Sequence, residues 1–195
     1  MMSTPPQHSA LGTEYSVPST PNLFPLVTVD SVLWPADSTA TMIPATDIPD
    51  PYRELLAHSL HMTVVVEEFY KSPVDVRVLE SGRDAGGDSY YRRIVLTLRG
   101  TDRIVQYGLV RIDLGCLPEP VRDAIVAEKT PLGRVLIDHN VLRRIEPTAF
   151  LKVQPGPTLM QQLGLADSST LYGRTGVIFC DDRPAIAVLE LLCPA

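Results

Sequence analysis

YGRTGVIFCDDRPAIAVLELL, Tyr172 to Leu192, places two apolar runs, Gly176 to Cys180 and Ala185 to Leu192, around a polar turn, Asp181 to Pro184. Strands joined by so short a connection pair antiparallel, because a parallel pair needs a crossover of a dozen or more residues. The middle of the chain repeats the pattern. Val74 to Glu80 alternates apolar and polar residues, Gly82 to Ser89 is a Gly/Asp/Ser loop, Tyr91 to Leu98 is a second run, Gly100-Thr101-Asp102 is a turn, and Ile104 to Leu114 is a third run. Helices are expected over PYRELLAHSL, with Asp50 as N-cap and Pro51 as its first residue, and over Glu119 to Glu128 behind Pro118. Two segments stay open between helix and strand, VVVEEFY at Val64 to Tyr70 and Val135 to Arg144. The fold class is therefore α+β: a single antiparallel sheet of about six strands with flanking helices on one side.

Working outward, the 195 residues, 45% of them apolar and 21% charged, suit one soluble domain with a sizeable core. Residues 1–50 read as a proline-rich N-terminal arm, partly disordered, in which Leu23 to Trp34 packs along the domain; residues 51–195 read as the domain itself. There is no apolar run of the roughly 18 residues a membrane span needs, and no secretory leader pattern, so a cytoplasmic location without a membrane partner is expected. A net charge of −6 argues against a nucleic-acid partner, which requires clustered cations. Cys116, Cys180 and Cys193 lack zinc spacing and read as buried thiols, and His58, His61 and His139 lack metal-ligand spacing, so no metal site is expected.

Chemistry concentrates in a few places. TPLGRVLIDHNVLRR, Thr130 to Arg144, sets a Pro-Leu-Gly turn before an arginine-bearing amphipathic segment, and together with the final hairpin and its carboxylate, Glu190, it suggests a pocket for a small anionic ligand. In YRRIVLTL the strand period of two puts Arg92 with Ile94, Leu96 and Leu98 on the more apolar face and Arg93 on the other; a different register would exchange them. Each residue also has an ordinary structural reading: a lone glutamate on an apolar strand is more often an edge or ion-paired residue than a catalyst, Met62 is a core methionine, and Arg134, Arg143 and Arg144 are surface or flap residues. Asp181-Asp182 is a hairpin tip, and Gly86-Gly87 is too short for a phosphate cradle.

The pieces LPEPVRDAI, TPLGRVLIDHNVLRRIEP, YGR and PAIAVLELL, in this order and spacing from about Leu55 to Pro194, resemble the chorismate pyruvate-lyase (4-hydroxybenzoate synthase) family, particularly its actinobacterial and cyanobacterial branch. The resemblance implies a six-stranded antiparallel sheet, a buried ligand site under two flaps, and no cofactor or metal. It implies that Met62, Arg92, Leu132 and Glu190 bind the substrate, with Arg92 and Glu190 catalytic; Arg174, in YGR, is a further candidate to help bind a second carboxylate. Residues Val141 to Leu165, with Pro147, Pro155 and Pro157, depart from the family pattern and are expected as part of a flap.

The activity implied is a carbon–oxygen lyase of aromatic biosynthesis, eliminating pyruvate from chorismate to give 4-hydroxybenzoate. An arginine fork would hold a carboxylate in a dry pocket, and a buried glutamate with its pKa raised by desolvation would meet the ring hydroxyl. Two alternatives stay open. One is a tailoring lyase of secondary metabolism acting on another chorismate-like ring acid. The other is a non-catalytic small-ligand-binding module, since the same fold serves as the effector half of bacterial transcription regulators; nothing before Pro51 reads as a helix-turn-helix.

Overall fold

The hairpin at the end of the chain lies at the heart of the sheet. In the computed structural model, which describes residues 34–193, strands β6 (Leu171–Cys180) and β7 (Arg183–Leu192) pair antiparallel around a two-residue turn. Asp181 and Asp182 have φ of 49° and 60°, the left-handed pair that matches strand twist in a tight hairpin and that aspartate tolerates. The turn is thus shorter than Asp181 to Pro184, and Pro184 sits near the start of β7. Strands β2 (Val74–Arg83), β3 (Ser89–Leu98) and β4 (Ile104–Asp113) follow the expected meander, and β4 pairs with β7.

Among the described residues the sheet has seven strands, in the order β1-β5-β6-β7-β4-β3-β2, every pair antiparallel. Both additional strands come from segments read otherwise in the sequence. β1 (Thr39–Ile43) belongs to the stretch expected as an arm, and it pairs with β5 (Arg143–Gln154), part of the stretch expected as a flap. Pro147 obscured β5, but it sits at a β-bulge where the register shifts between Pro147 and Ala149, one of the few sheet positions that tolerates a missing N–H. Pro157 opens helix α5 (Pro157–Leu163), where proline is equally tolerated. The rest of the expected arm, Leu23 to Leu33, lies outside the described residues; Trp34 is buried and its Nε1 donates to the Ser38 carbonyl.

Both open segments begin as helices. VVVEEFY belongs to α2 (Met62–Tyr70), whose buried Met62, Thr63 and Val66 fall on one face and which ends at Lys71 in a left-handed C-cap, two residues before Pro73. Val135 falls within α4 (Leu132–Asp138), while Arg143 and Arg144 already belong to β5. The helix at PYRELLAHSL is shorter than expected: α1 spans only Tyr52–Leu56, and Asp50 caps nothing but pairs with Arg53 at 2.6 Å. α3 (Glu119–Val126) lies close to its expected place.

Helices do not all share one side. Leu55, Leu56, Met62 and Val66 from α1 and α2 pack on Ile94, Leu96 and Leu192, while Val121, Ile125, Val135 and Leu136 from α3 and α4 pack beside them on Ile112, Val110 and Val188. On the opposite face Leu159 and Leu163 of α5 join Trp34, Val95, Tyr107, Leu109 and Leu189 in a separate cluster. No helix among the described residues is long and apolar enough to cross a membrane.

Candidate functional site

Where the α1/α2 and α3/α4 halves of the helical layer meet, they leave a small cavity of about 40 Å³ above the centre of the sheet. The pairing register fixes its floor. Arg92, Val110, Val188 and Gly176 form one row across β3, β4, β7 and β6; Ile94, Gly108, Glu190 and Arg174 form the next; Leu96, Gln106, Leu192 and Tyr172 the third. Because alternate residues share a face, Arg92 and Glu190 point into the same space from strands β3 and β7. Two strand spacings and a two-residue offset put their Cα atoms roughly 12 Å apart. Gly108 lies between them, and Ile94 fills the place its side chain would take, Cδ1 lying 3.1 Å from an added Cβ.

Four of the five residues assigned to the site from sequence, Met62, Arg92, Leu132 and Glu190, line this one cavity; Arg174 does not. Arg92 is 1% exposed, its Nε meets no acceptor among the described residues, and Nη1 makes a long 3.5 Å bond to the Ile125 carbonyl. Burial pulls this guanidinium below its ordinary range, a pull opposed by Tyr90 and Glu128. The Tyr90 hydroxyl donates to Glu128 at 2.6 Å, and burial followed by that bond pushes Tyr90 up to about 12. Arg93, by contrast, lies on the far face and pairs with Glu80 at 3.0 Å.

Above Arg92 stand two helix beginnings. Met62 and Leu132 are the first residues of α2 and α4, and neither N-cap, His61 or Pro131, supplies a side-chain acceptor to the first turn. The intrahelical bonds of both first turns start only at Val64 and Arg134, so the N–H groups of Met62, Thr63, Leu132 and Gly133 are the donors a helix start leaves over. The two ends fit closely because residue 133 is glycine: a Cβ there would lie 3.0 Å from Thr63 Oγ1 and 3.1 Å from His61 Cβ. An ion pair between Glu67 and Arg134 ties α2 to α4, and the same carboxylate accepts from Val74 N at 3.2 Å.

The other end of the cavity is acidic. Glu190 is bonded to Arg174 Nε at 2.8 Å, and Arg174, 2% exposed, also donates to the carbonyls of Leu56 (3.1 Å), His58 (2.6 Å) and Leu60 (3.0 Å). This guanidinium is committed within the protein, so the expected help with a second carboxylate has no free fork to provide it. Its role is to fix Glu190 and the 57–61 connection that delivers α2. Glu190 is thus ion-paired, as the ordinary structural reading of a lone strand glutamate had it: a carboxylate held by a cation, suited to accept a hydrogen bond from a ligand hydroxyl.

Sequence reasoning passed over His61 and Gln106. His61 lines the cavity, its Nε2 accepts from Arg143 Nε at 2.6 Å, and burial, then Arg143 and Arg174, lower its pKa to about 4. Gln106 is 4% exposed, with Oε1 unmet by any donor among the described residues. Its signal was a lone amide within the apolar strand IVQYGLV. Among the described residues no group of three or more His, Cys, Asp or Glu side chains could hold a metal ion.

No family model matches the chain, and no curated protein does. Solved structures do. PhnF from Mycobacterium smegmatis matches at 15% identity over 67% of this chain and 62% of that one, with a TM-score of 0.51. Its effector domain matches at 13% identity over 68% and 87%, with a TM-score of 0.47. The ligand-binding domain of a protein assigned as a GntR-family transcriptional regulator from Bordetella bronchiseptica matches at 17% identity over 62% and 85%, also with a TM-score of 0.47. At these identities the likeness is one of fold alone: a single antiparallel sheet with flanking helices.

Proposed function

We propose that this protein binds a small ring carboxylate in the cavity between Arg92 and Glu190. One observation carries the reading: a fully buried arginine with no ion pair among the described residues shares a cavity with two uncapped helix starts, while a fixed carboxylate lies at the other end. A buried cation left in this way favours an anion, and a charged hydrogen bond there is worth roughly 1.5–3 kcal/mol. The walls between, Ile94, Val110, Leu132 and Val188, are apolar and suit the faces of a ring.

Two uses of that binding are distinguished by experiment. The solved structures sharing the fold include effector and ligand-binding domains, which supports a module that holds its ligand unchanged. The placement of Met62, Arg92, Leu132 and Glu190 supports elimination from chorismate or a related ring acid. In that reaction the ring carboxylate sits on Arg92 and the helix N–H groups, and the ring hydroxyl donates to Glu190. The C–H bond on the hydroxyl-bearing carbon and the neighbouring C–O bond break, the ring becomes aromatic, and the departing enolpyruvate takes up a proton to become pyruvate. Aromatisation drives the step, so orientation supplies most of what is needed.

Incubation of the purified protein with chorismate, following pyruvate and 4-hydroxybenzoate, separates the readings. Product formation that Glu190→Gln reduces by at least about tenfold supports the lyase. Saturable binding of chorismate or 4-hydroxybenzoate without product supports the effector module. Absence of both binding and product removes the ring-acid reading itself. Glutamine is preferred to alanine, because alanine would leave Arg174 Nε buried without an acceptor.

A further inference from the structure

Gln106 is a buried polar side chain of the cavity that the ring-acid reading does not use, and its Oε1 meets no donor among the described residues. It lies on β4 among Leu96, Leu192 and Val76, apolar neighbours of the kind that surround a core leucine. An amide oxygen buried without a donor is costly, so an apolar residue is the default at such a position. The register puts Gln106 diagonally beside Glu190 on the same face, with Cα atoms roughly 8 Å apart, and puts both on the far side of the cavity from Arg92. A ring whose carboxylate meets Arg92 and whose distal hydroxyl meets Glu190 therefore turns one of its adjacent positions toward the Gln106 amide.

We propose that Gln106 is a specificity-determining residue that selects ring acids carrying a hydrogen-bonding substituent, hydroxyl or amino, beside the position that meets Glu190. The proposal rests on the ring-acid reading above and deepens it. An amide has both a donor and an acceptor end, and rotation by half a turn presents either, so it accommodates a hydroxyl or an amine. A methyl group of similar size would leave Oε1 buried and unmet, and sites built around a polar partner reject the analogue that lacks it far more strongly than apolar sites sort by shape.

The test is calorimetric titration with protocatechuate, which carries a second hydroxyl beside the first, and with 4-hydroxy-3-methylbenzoate, its near-isostere. The wild-type protein is expected to favour protocatechuate by about tenfold or more. In Gln106→Leu and in the unbranched Gln106→Met the preference is expected to vanish or reverse, with urea midpoints at or above wild type. A preference near unity in the wild type, or one unchanged in both variants, overturns the proposal; so does a large loss of stability with the preference intact, which is the behaviour of a purely structural glutamine. Failure of the wild type to bind 4-hydroxybenzoate at all would instead remove the underlying ring-acid reading.

Discussion

Arg92 and Arg174 are both arginines on the cavity side of the sheet, both almost fully buried, yet they differ in what they meet. Arg174 is bonded to Glu190 and three carbonyls, whereas among the described residues Arg92 Nε meets no acceptor and Arg92 makes no ion pair. Arg92→Leu is therefore expected to lower ring-acid affinity by about 10- to 100-fold while leaving stability unchanged or raised, since it removes a desolvated charge. Titration and urea unfolding of the same preparation check it, and a large stability loss would make Arg92 structural. His61 gives a pH signature. Its folded pKa, near 4, lies below the unfolded value of 6.5, so the unfolded chain binds more protons between those limits. Its contribution is complete above about pH 6.5 and is lost as pH falls toward 4, with a slope of at most about 1.4 kcal/mol per pH unit. Burial also lowers His58, which adds in the same direction. Urea midpoints between about pH 5 and 7.5 should fall less in His61→Gln than in wild type; equal slopes would contradict this. At this scale the sequence was informative where a side chain's direction follows from strand period, as for Arg92 against Arg93. It was silent on partners: which arginine is idle depends on whether Leu56, His58 and Leu60 fold back onto it, and no local pattern states that.

Among the elements, the site depends on two helix starts held against each other and against β6. Arg174→Met would free the carbonyls of Leu56, His58 and Leu60 and unpair Glu190, at an expected cost of roughly 3–5 kcal/mol in urea unfolding. Glu190→Gln, which keeps an acceptor for Nε, should cost much less; equal costs would refute the clamp. Gly133→Ala pits two effects against each other. Alanine favours the helix by up to about 1 kcal/mol, but its Cβ would press Thr63 and His61 apart. The expected result is near-wild-type stability with weakened ligand binding, because the donors of Met62 and Leu132 would no longer converge. Legibility of elements followed locality. The β2-β3-β4 meander and the last hairpin are built from neighbouring residues and short turns, and they read correctly. β1 pairs Thr39 with Gln154 across most of the chain, and β5 carries its proline at a bulge, so neither announced itself as a strand. VVVEEFY stayed open because valines suit a strand and the buried stripe of Met62, Thr63 and Val66 appears only once α2 lies on the sheet.

For the molecule as a whole, the sheet is covered on both faces, and the second cover is small. Trp34 and α5 close the face away from the cavity, held by Ser38 Oγ accepting from Gly156 N at 2.9 Å and Asp37 accepting from Thr158 N at 2.8 Å. Trp34→Ala should cost roughly 3–5 kcal/mol although it lies far from the ligand, and unfolding should stay a single transition. The fold class was legible because antiparallel order follows from turn length, but the count of strands and the two-sided cover were not, since both rely on contacts distant in sequence. Binding of a ring acid is the claim on which the remainder depends. Its most direct test is calorimetric titration of 4-hydroxybenzoate into the wild-type protein and into Arg92→Leu: saturable binding to a single site in the wild type, weakened at least about tenfold in the variant, is expected. No binding in the wild type, or equal affinity in the two proteins, would contradict it.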